Sequence, residues 1–366
     1  MKIKIITCQR VYNYGASLQA LALQHYLEKE GCDVQIIDYT PDYQKFSVWN
    51  VPKSSHLYKP AKYSRIMRCL YALKAYLRVR PTLGRIKAFD KFSSEYHHLT
   101  RQYNSYEELA TDPPMADLYI AGSDQIWSTH LQNGRDPAFY CAFGKVETKR
   151  ISYAASFGFP EILGGYDSFV KSMLRGLDAI SVREKTGMNI LENLGLQGVH
   201  VVDPVLLLDK EAWVKRLRVN TPIIEGKYIL VYDLSHKDKR LNTFSKQLSE
   251  KYNLKIVAVN NKGKTDYADI NINDAGPAEF VNLLAHSEFV ISDSFHATAF
   301  SVIFQKQFYV YYIQGNISRI SDFLEIIGLE PRLNATAELP NINWGEHESA
   351  LNEMVGKSKD YLRLHL

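Results

Sequence analysis

The densest run of reactive side chains is Ile291-Ser292-Asp293-Ser294-Phe295-His296-Ala297-Thr298-Ala299-Phe300. An apolar run ends at about Ser292 and a helical pattern begins near Ser294, so Asp293 or Ser294 can cap a helix with His296 in its first turn. Uncommitted N–H groups and the positive end of the helix dipole favour a bound anion there, phosphate in particular. An imidazole titrates near neutral pH, so His296 can also move a proton during a reaction. A purely structural histidine is the plainer alternative.

Three further stretches offer groups of the same kind. In Cys8-Gln9-Arg10-Val11-Tyr12-Asn13-Tyr14-Gly15-Ala16-Ser17, Gly15 permits a sharp turn into a helix, and Asn13 can bond locally. The run is neither GxGxxG nor a Walker loop, so neither a dinucleotide nor a P-loop nucleotide is indicated. In Gly122-Ser123-Asp124-Gln125-Ile126-Trp127, Ser123 and Asp124 could meet sugar hydroxyls while Trp127 supports a sugar ring. A helix cap with Trp127 in the core fits the same spacing. Arg183, after Ile180-Ser181-Val182, and Arg319, after Asn316-Ile317-Ser318, are suited to forked recognition of phosphate or carboxylate. An Arg183–Glu184 surface pair is the competing fate of the first.

These stretches fall at strand ends, except that Arg319 stands at an expected helix start. Residues 2–7, a helix over 16–30 and a strand over 33–39 read as a β-α-β unit. Strands follow at 117–121, 151–156, 179–182 and 199–202, then at 228–232, 255–259, 289–292 and 308–312. Helical patterns occupy 239–251, 277–286 and 296–304, and a last helix is expected near 346–364. The strands are near-continuous apolar runs, as parallel strands covered on both faces require. Two successive α/β series joined around 203–225 predict two Rossmann-like domains facing a cleft. Their expected bounds are residues 1–208 and 209–340, with 341–366 a terminal helix that could pack back on the first domain. Ligands of open α/β sheets bind beyond the carboxyl ends of the strands, where the residues named above lie.

The chain has 366 residues, 46% of them hydrophobic and 23% charged, with a formal net charge of +4. That composition excludes a disordered or fibrous chain, and the charge is too small to imply nucleic acid. Cys8, Cys32, Cys69 and Cys141 form no CxxC pair, so neither a zinc site nor a disulfide framework is expected. No run approaches a spanning helix, and the apolar start is too short for a signal peptide. A cytoplasmic location is therefore the expectation.

The positive charge is local. Eleven lysines and arginines and no acidic residue lie between Asp42 and Asp90, in a basic insertion of about 43–89. Within 61–80, Ile66, Leu70, Leu73 and Leu77 share one helical face, largely opposite Arg65, Arg68, Lys74 and Arg78. Such a helix suits peripheral contact with an anionic membrane at the inner face, or simple packing on the first domain.

Asn13-Tyr14-Gly15-Ala16, Gly122 to Trp127, Ser181-Val182-Arg183-Glu184, Val202-Asp203-Pro204-Val205-Leu206-Leu207-Leu208 and Ser292 to Thr298 together resemble the polysaccharide pyruvyl transferase family. They come in the family's order across roughly residues 5 to 325. The resemblance implies a fold similar to GT-B glycosyltransferases; no metal-ligand spacing is visible and no step of the implied reaction needs a metal, so neither metal nor cofactor is expected. It implies phosphoenolpyruvate as donor and a sugar of a cell-surface polysaccharide, or its lipid-linked precursor, as acceptor. The product would be a pyruvate ketal. His296 matches the family's catalytic histidine and Arg183 an arginine that holds the donor; Asp124 matches a polar site position. The family arginine two residues before the histidine is Ser294 here, and Ala16 and Ser17 follow the glycine where an acidic residue is usual. Donor charge would then fall to Arg183, Arg319 or helix N-termini near Asn13, Gly15 and Ser294, with Ser123, Trp127 and Asp293 on the acceptor side.

Two rival functions fit the same architecture. A glycosyltransferase using a nucleotide sugar is one, although Glu279 and Glu288 miss the seven-residue spacing of the paired glutamates in many retaining members. A non-catalytic carbohydrate-binding protein is the other.

Overall fold

In the first half of the chain, strands β1 (Lys2–Ile6), β2 (Asp33–Tyr39), β3 (Leu99–Tyr103), β4 (Leu118–Ala121) and β5 (Lys149–Ser152) form a parallel sheet ordered β3-β2-β1-β4-β5. A short parallel pair, β6 (Ser181–Val182) and β7 (Val199–His200), follows, bridged to the β5 edge at Ile151 and Ala155. In the second half, β8 (Tyr228–Tyr232), β9 (Lys255–Val259), β10 (Ile270–Ile272), β11 (Phe289–Ser292) and β12 (Gln307–Val310) repeat the pattern as β10-β9-β8-β11-β12. The structure is a computed structural model and describes residues 1–44, 83–235, 238–260, 263–312 and 318–366. Most of the basic insertion, with the amphipathic helix expected at 61–80, lies outside the described residues, as do Asn316 and Ile317.

The helices are α1 (Tyr14–Lys29), α2 (Leu83–Tyr96), α3 (Tyr106–Thr111), α4 (Asp167–Leu174), α5 (Lys185–Asn193) and α6 (Lys210–Leu217) in the first part of the chain. Then come α7 (Lys239–Tyr252), α8 (Pro277–Ala285), α9 (Phe295–Ile303), α10 (Ser318–Ile326) and α11 (Glu348–His365). Helix α1 begins two residues before the apolar pattern suggests, because the Asn13 side chain accepts from the Ala16 N–H and caps it there. Every residue of β8 is buried, as both-face coverage of a central parallel strand demands.

The architecture is α/β, two Rossmann-like domains facing a cleft. The halves are joined by apolar packing. One hydrophobic cluster takes in Ile3 and Leu118 of the first sheet, Val205 and Trp213 of the connection, and Tyr228 and Val290 of the second. Tyr14, at the start of α1, stacks on Phe280 of α8 with ring centroids 4.5 Å apart, and its hydroxyl donates to the Ala275 carbonyl at 2.9 Å. Such a seam resists the free relative motion that polar domain interfaces allow. Helix α11 lies on the first half: the Val202 N–H donates to Ser358 Oγ at 2.9 Å and Tyr361 donates to the Ser152 carbonyl at 2.9 Å. Among the described residues, no helix is long and apolar enough to cross a membrane.

Candidate functional site

A cavity of about 550 Å³ opens between the halves, lined from the first by Cys8, Asn13, Asp124 and Gln125 and from the second by Asp293, Ser294, His296 and Arg319. Two helices start at its wall. Asn13 caps α1, and Ser294 caps α9 by accepting from the Ala297 N–H at 3.4 Å. The first N–H groups of each helix have no intrahelical carbonyl to bond, so two positive dipole ends converge here.

His296 sits where the two starts meet. A Cβ built on Gly15 would come within 2.0 Å of His296 Nδ1, so only a glycine lets the α1 backbone approach the ring this closely. His296 Nε2 lies 3.5 Å from Asp203 Oδ2, within ion-pair range but too long for a good hydrogen bond. His296 is 8% exposed, enough to line the cavity.

Asp203 is the hinge of the electrostatics. Its Oδ2 receives Arg183 Nη1 at 2.5 Å, and its Oδ1 accepts from the Val205 N–H at 3.1 Å. Burial pushes this carboxyl up, yet the charges of His296 and Arg183 prevail and hold it well below the usual carboxylate range. For Arg183, burial opposes the charge, while Asp203, Asp124 and Glu184 more than restore it. The two groups form a buried ion pair.

Arg183 therefore differs from its expected role. Its side chain is 1% exposed, neutralised by Asp203 beneath the cavity floor, and 5.2 Å below the Phe295 ring centroid. It reaches the cavity only indirectly, through Asp124, 3.5 Å away, and through Asp203, which faces His296. A guanidinium so enclosed has no face for a donor anion, and the expectation that it binds one directly is corrected. Two acceptor-side expectations are corrected on the same ground. Trp127 is 0% exposed, stacked parallel to Tyr140 and donating Nε1–H to the Phe139 carbonyl at 3.0 Å. Ser123 is also 0% exposed, its hydroxyl donating to the Ala154 carbonyl at 2.8 Å. Both were absorbed by the core because the chain reverses sharply between them.

That reversal is visible in the backbone. Gly122 has φ +125°, where a Cβ would meet the Tyr153 carbonyl oxygen at 2.1 Å, and the Gly122–Ser123 peptide is cis. Asp124 itself lies in the left-handed region at φ +75°, a conformation that non-glycine residues adopt seldom and often at functional sites. The turn lifts Asp124 and Gln125 to the cavity while Ser123 and Trp127 point inward.

Of the remaining expected residues, Asp293 lines the cavity but already accepts from the Leu234 N–H at 2.7 Å and the Ser235 N–H at 2.9 Å, clamping the loop after β8. Burial raises its carboxyl above the ordinary value. Arg319 lines the cavity from the first turn of α10. Burial, and then the charge of Arg183, lower its pKa. Sequence reasoning gave no role to Asp203, Gln125, Cys8 or Asn133, although Asp203 follows a strand end and was legible by the same rule as Arg183. Cys8 receives the Asn133 amide at 3.6 Å, and burial, with Asp124 nearby, pushes its thiol up, so it is a poor nucleophile. Among the described residues, no group of three histidine, cysteine or acidic side chains could hold a metal ion.

The model of the family described as polysaccharide pyruvyl transferase matches residues 13–315, most of the chain. The chain belongs to the polysaccharide pyruvyl transferase family. No curated protein matches this transferase. Among solved structures, it is similar to a UDP-GlcNAc 2-epimerase from Methanocaldococcus jannaschii, with TM-score 0.47 and 13% identity, covering 97% of this chain and 93% of that one. The Neisseria meningitidis UDP-GlcNAc 2-epimerase gives TM-score 0.47 and 9% identity over 99% and 93%. The E. coli heptosyltransferase WaaC gives TM-score 0.43 and 10% identity over 98% and 99%.

Proposed function

We propose that this member of the family transfers the pyruvyl group of phosphoenolpyruvate to two hydroxyls of a sugar in a cell-surface polysaccharide or its lipid-linked precursor. The observation that carries the reading is the placement of His296 at the meeting of two helix starts, in a cavity that also holds the Arg319 guanidinium. The donor carries a phosphate and a carboxylate, and the cavity offers two dipole ends, an imidazole and a guanidinium to receive them.

The reaction adds a proton to the donor's methylene carbon, forms two C–O bonds to sugar oxygens and breaks the C–O bond to phosphate. The two hydroxyl protons balance it, one ending on the new methyl group and one leaving with phosphate. In this reading His296 delivers the proton to the methylene carbon or to the departing phosphate. Asp203 Oδ2 lies 3.5 Å from Nε2 and positions the ring. Arg319 and the helix starts, with Asn13, Gly15 and Ser294, hold the donor. Asp124 orients or deprotonates an acceptor hydroxyl, and Asp293 contributes through oxygens that retain accepting capacity beyond the two loop N–H groups. We place the enzyme in the cytoplasm, drawn to the inner membrane face by its basic insertion when the acceptor is lipid-linked. Failure to sediment with anionic vesicles at either low or high salt would rule out that attraction.

The deciding experiment measures phosphate release from phosphoenolpyruvate with a panel of lipid-linked and aryl hexosides, followed by product mass. The expected product is heavier than the acceptor by one pyruvic acid less one water. Absence of donor-dependent product, with a thermal shift from uridine diphosphate and none from phosphoenolpyruvate, would instead favour a nucleotide-sugar enzyme.

A further inference from the structure

Gln125 and Arg319 face each other across the cavity, one from each half. With its amide oxygen toward the guanidinium, Gln125 accepts from Arg319 Nη1 at 3.0 Å and from Nη2 at 2.6 Å. The opposite orientation would aim an NH2 group at a side chain that has five donors and no acceptor. A single neutral oxygen thus occupies both prongs of a fork whose geometry matches the two oxygens of a carboxylate. The match is incomplete, since Arg319 Nε is buried with no hydrogen-bond partner among the described residues. Arg183 is the contrast: its charge has a carboxylate at 2.5 Å, whereas among the described residues Arg319 has the Gln125 amide at hydrogen-bond distance and Glu184 and Asp124 only at longer range.

We propose that Arg319 is a carboxylate subsite of the cavity, and that Gln125 fills it in the unliganded protein until a small planar carboxylate displaces it. The amide is weak enough to leave, because a neutral acceptor bonds a guanidinium less strongly than an ionised one. It also prevents a buried charge from standing without any acceptor. Gln125 accordingly sets selectivity, since a ligand lacking a carboxylate gains too little to expel it. Identifying that carboxylate with the donor's own rests on the function proposed above, and it leaves the phosphate to His296 and the two helix starts.

The test is calorimetric binding of oxalate, pyruvate and inorganic phosphate to the full chain. Arg319→Met should weaken oxalate at least about tenfold and leave phosphate within about twofold. Gln125→Ala and the near-isosteric Gln125→Met should both tighten oxalate by about threefold to tenfold, because no internal acceptor competes. No oxalate binding to the unaltered protein overturns the proposal. Equal or weaker oxalate binding by both Gln125 variants does the same, as does parallel loss of oxalate and phosphate in a folded Arg319→Met. If circular dichroism finds Arg319→Met unfolded, the two Gln125 variants alone decide. The donor reading fails separately: oxalate would behave as stated while phosphoenolpyruvate is neither bound nor consumed. Conversely, turnover with an unchanged donor KM in both Gln125 variants would sink the subsite and leave that reading intact.

Discussion

In both halves the first strand of the series stands at the centre of five, the next two lie to one side and the last two to the other. Both halves also send the start of a helix to the cavity, α1 after β1 and α9 after β11. What they deliver differs. The second half brings an imidazole and a guanidinium, His296 and Arg319, while the first brings a carboxylate, amides and the glycine edge of α1. The first half does have an arginine at a strand end, but β6 pairs with β7 so that Ser181 lies beside Val199 and Val182 beside His200. Just past that pair the side chain of Asp203 turns onto Arg183, with 2.5 Å between Nη1 and Oδ2, and the charge is neutralised before it reaches the cleft. The availability of a guanidinium is decided by the neighbouring strand, not by its own position in the sequence.

His296 belongs to both halves, carried by α9 and abutting Gly15 of α1. His296→Ala should lower donor turnover by roughly 10²–10⁴ with the melting temperature little changed, as general acid–base assistance is lost. Gly15→Ala approaches the same centre from the first half. Alanine favours the helix by about 1 kcal/mol, yet its methyl group must displace the imidazole. Turnover should fall about 10²-fold from misplacement alone. Near-normal phosphate release by either folded variant would mean that the meeting of α1 with His296 is only packing.

The second effect concerns the neutralised arginine. Arg183→Met leaves the Asp203 carboxylate buried without its 2.5 Å partner and should cost about 3–5 kcal/mol in urea melts. The pH dependence has a definite sign. In the unaltered protein Asp203 has a lowered pKa, so its contribution is complete above the ordinary carboxylate value and is lost only as pH falls through the lowered one. Without Arg183, burial is opposed by His296 alone and the carboxyl rises from its lowered value. The deficit should then be smallest in acid, where the carboxyl is protonated in both proteins, and grow as pH rises and the buried group must ionise. A deficit independent of pH would show that the pair's charge contributes nothing to the seam.

The contrast between halves was partly legible in the residues. The strands expected at 33–39, 228–232, 255–259 and 289–292 agree with β2, β8, β9 and β11, whose apolar runs are covered on both faces. The missed strands, β3 and β10, are the outer ones: Leu99–Tyr103 is half exposed and polar, and Ile270–Ile272 is short and only partly buried. An edge strand needs no continuous apolar pattern, so periodicity cannot reveal it. The strand-end rule located Asn13, Asp124, Asp293, Ser294 and His296, and an expected helix start located Arg319, at one cavity. It misplaced Ser123 and Trp127 because a left-handed residue at 124 decides which neighbours turn outward, and spacing carries no record of that angle.

Trp127 gives the smallest predicted effect and sharpens the account of the first half. The indole donates to the Phe139 carbonyl and stacks on Tyr140, with ring centroids 5.7 Å apart. Trp127→Phe keeps most of the apolar contact and removes the donor, leaving the buried carbonyl short of one bond. The expected cost is about 1–3 kcal/mol in thermal or urea unfolding. Acceptor KM should stay within about twofold, since a side chain with no exposed surface has no face to offer a sugar. A selective rise in acceptor KM at unchanged stability would mean that the 122–127 turn opens when substrate arrives. The first half would then contribute an apolar platform as well as polar groups.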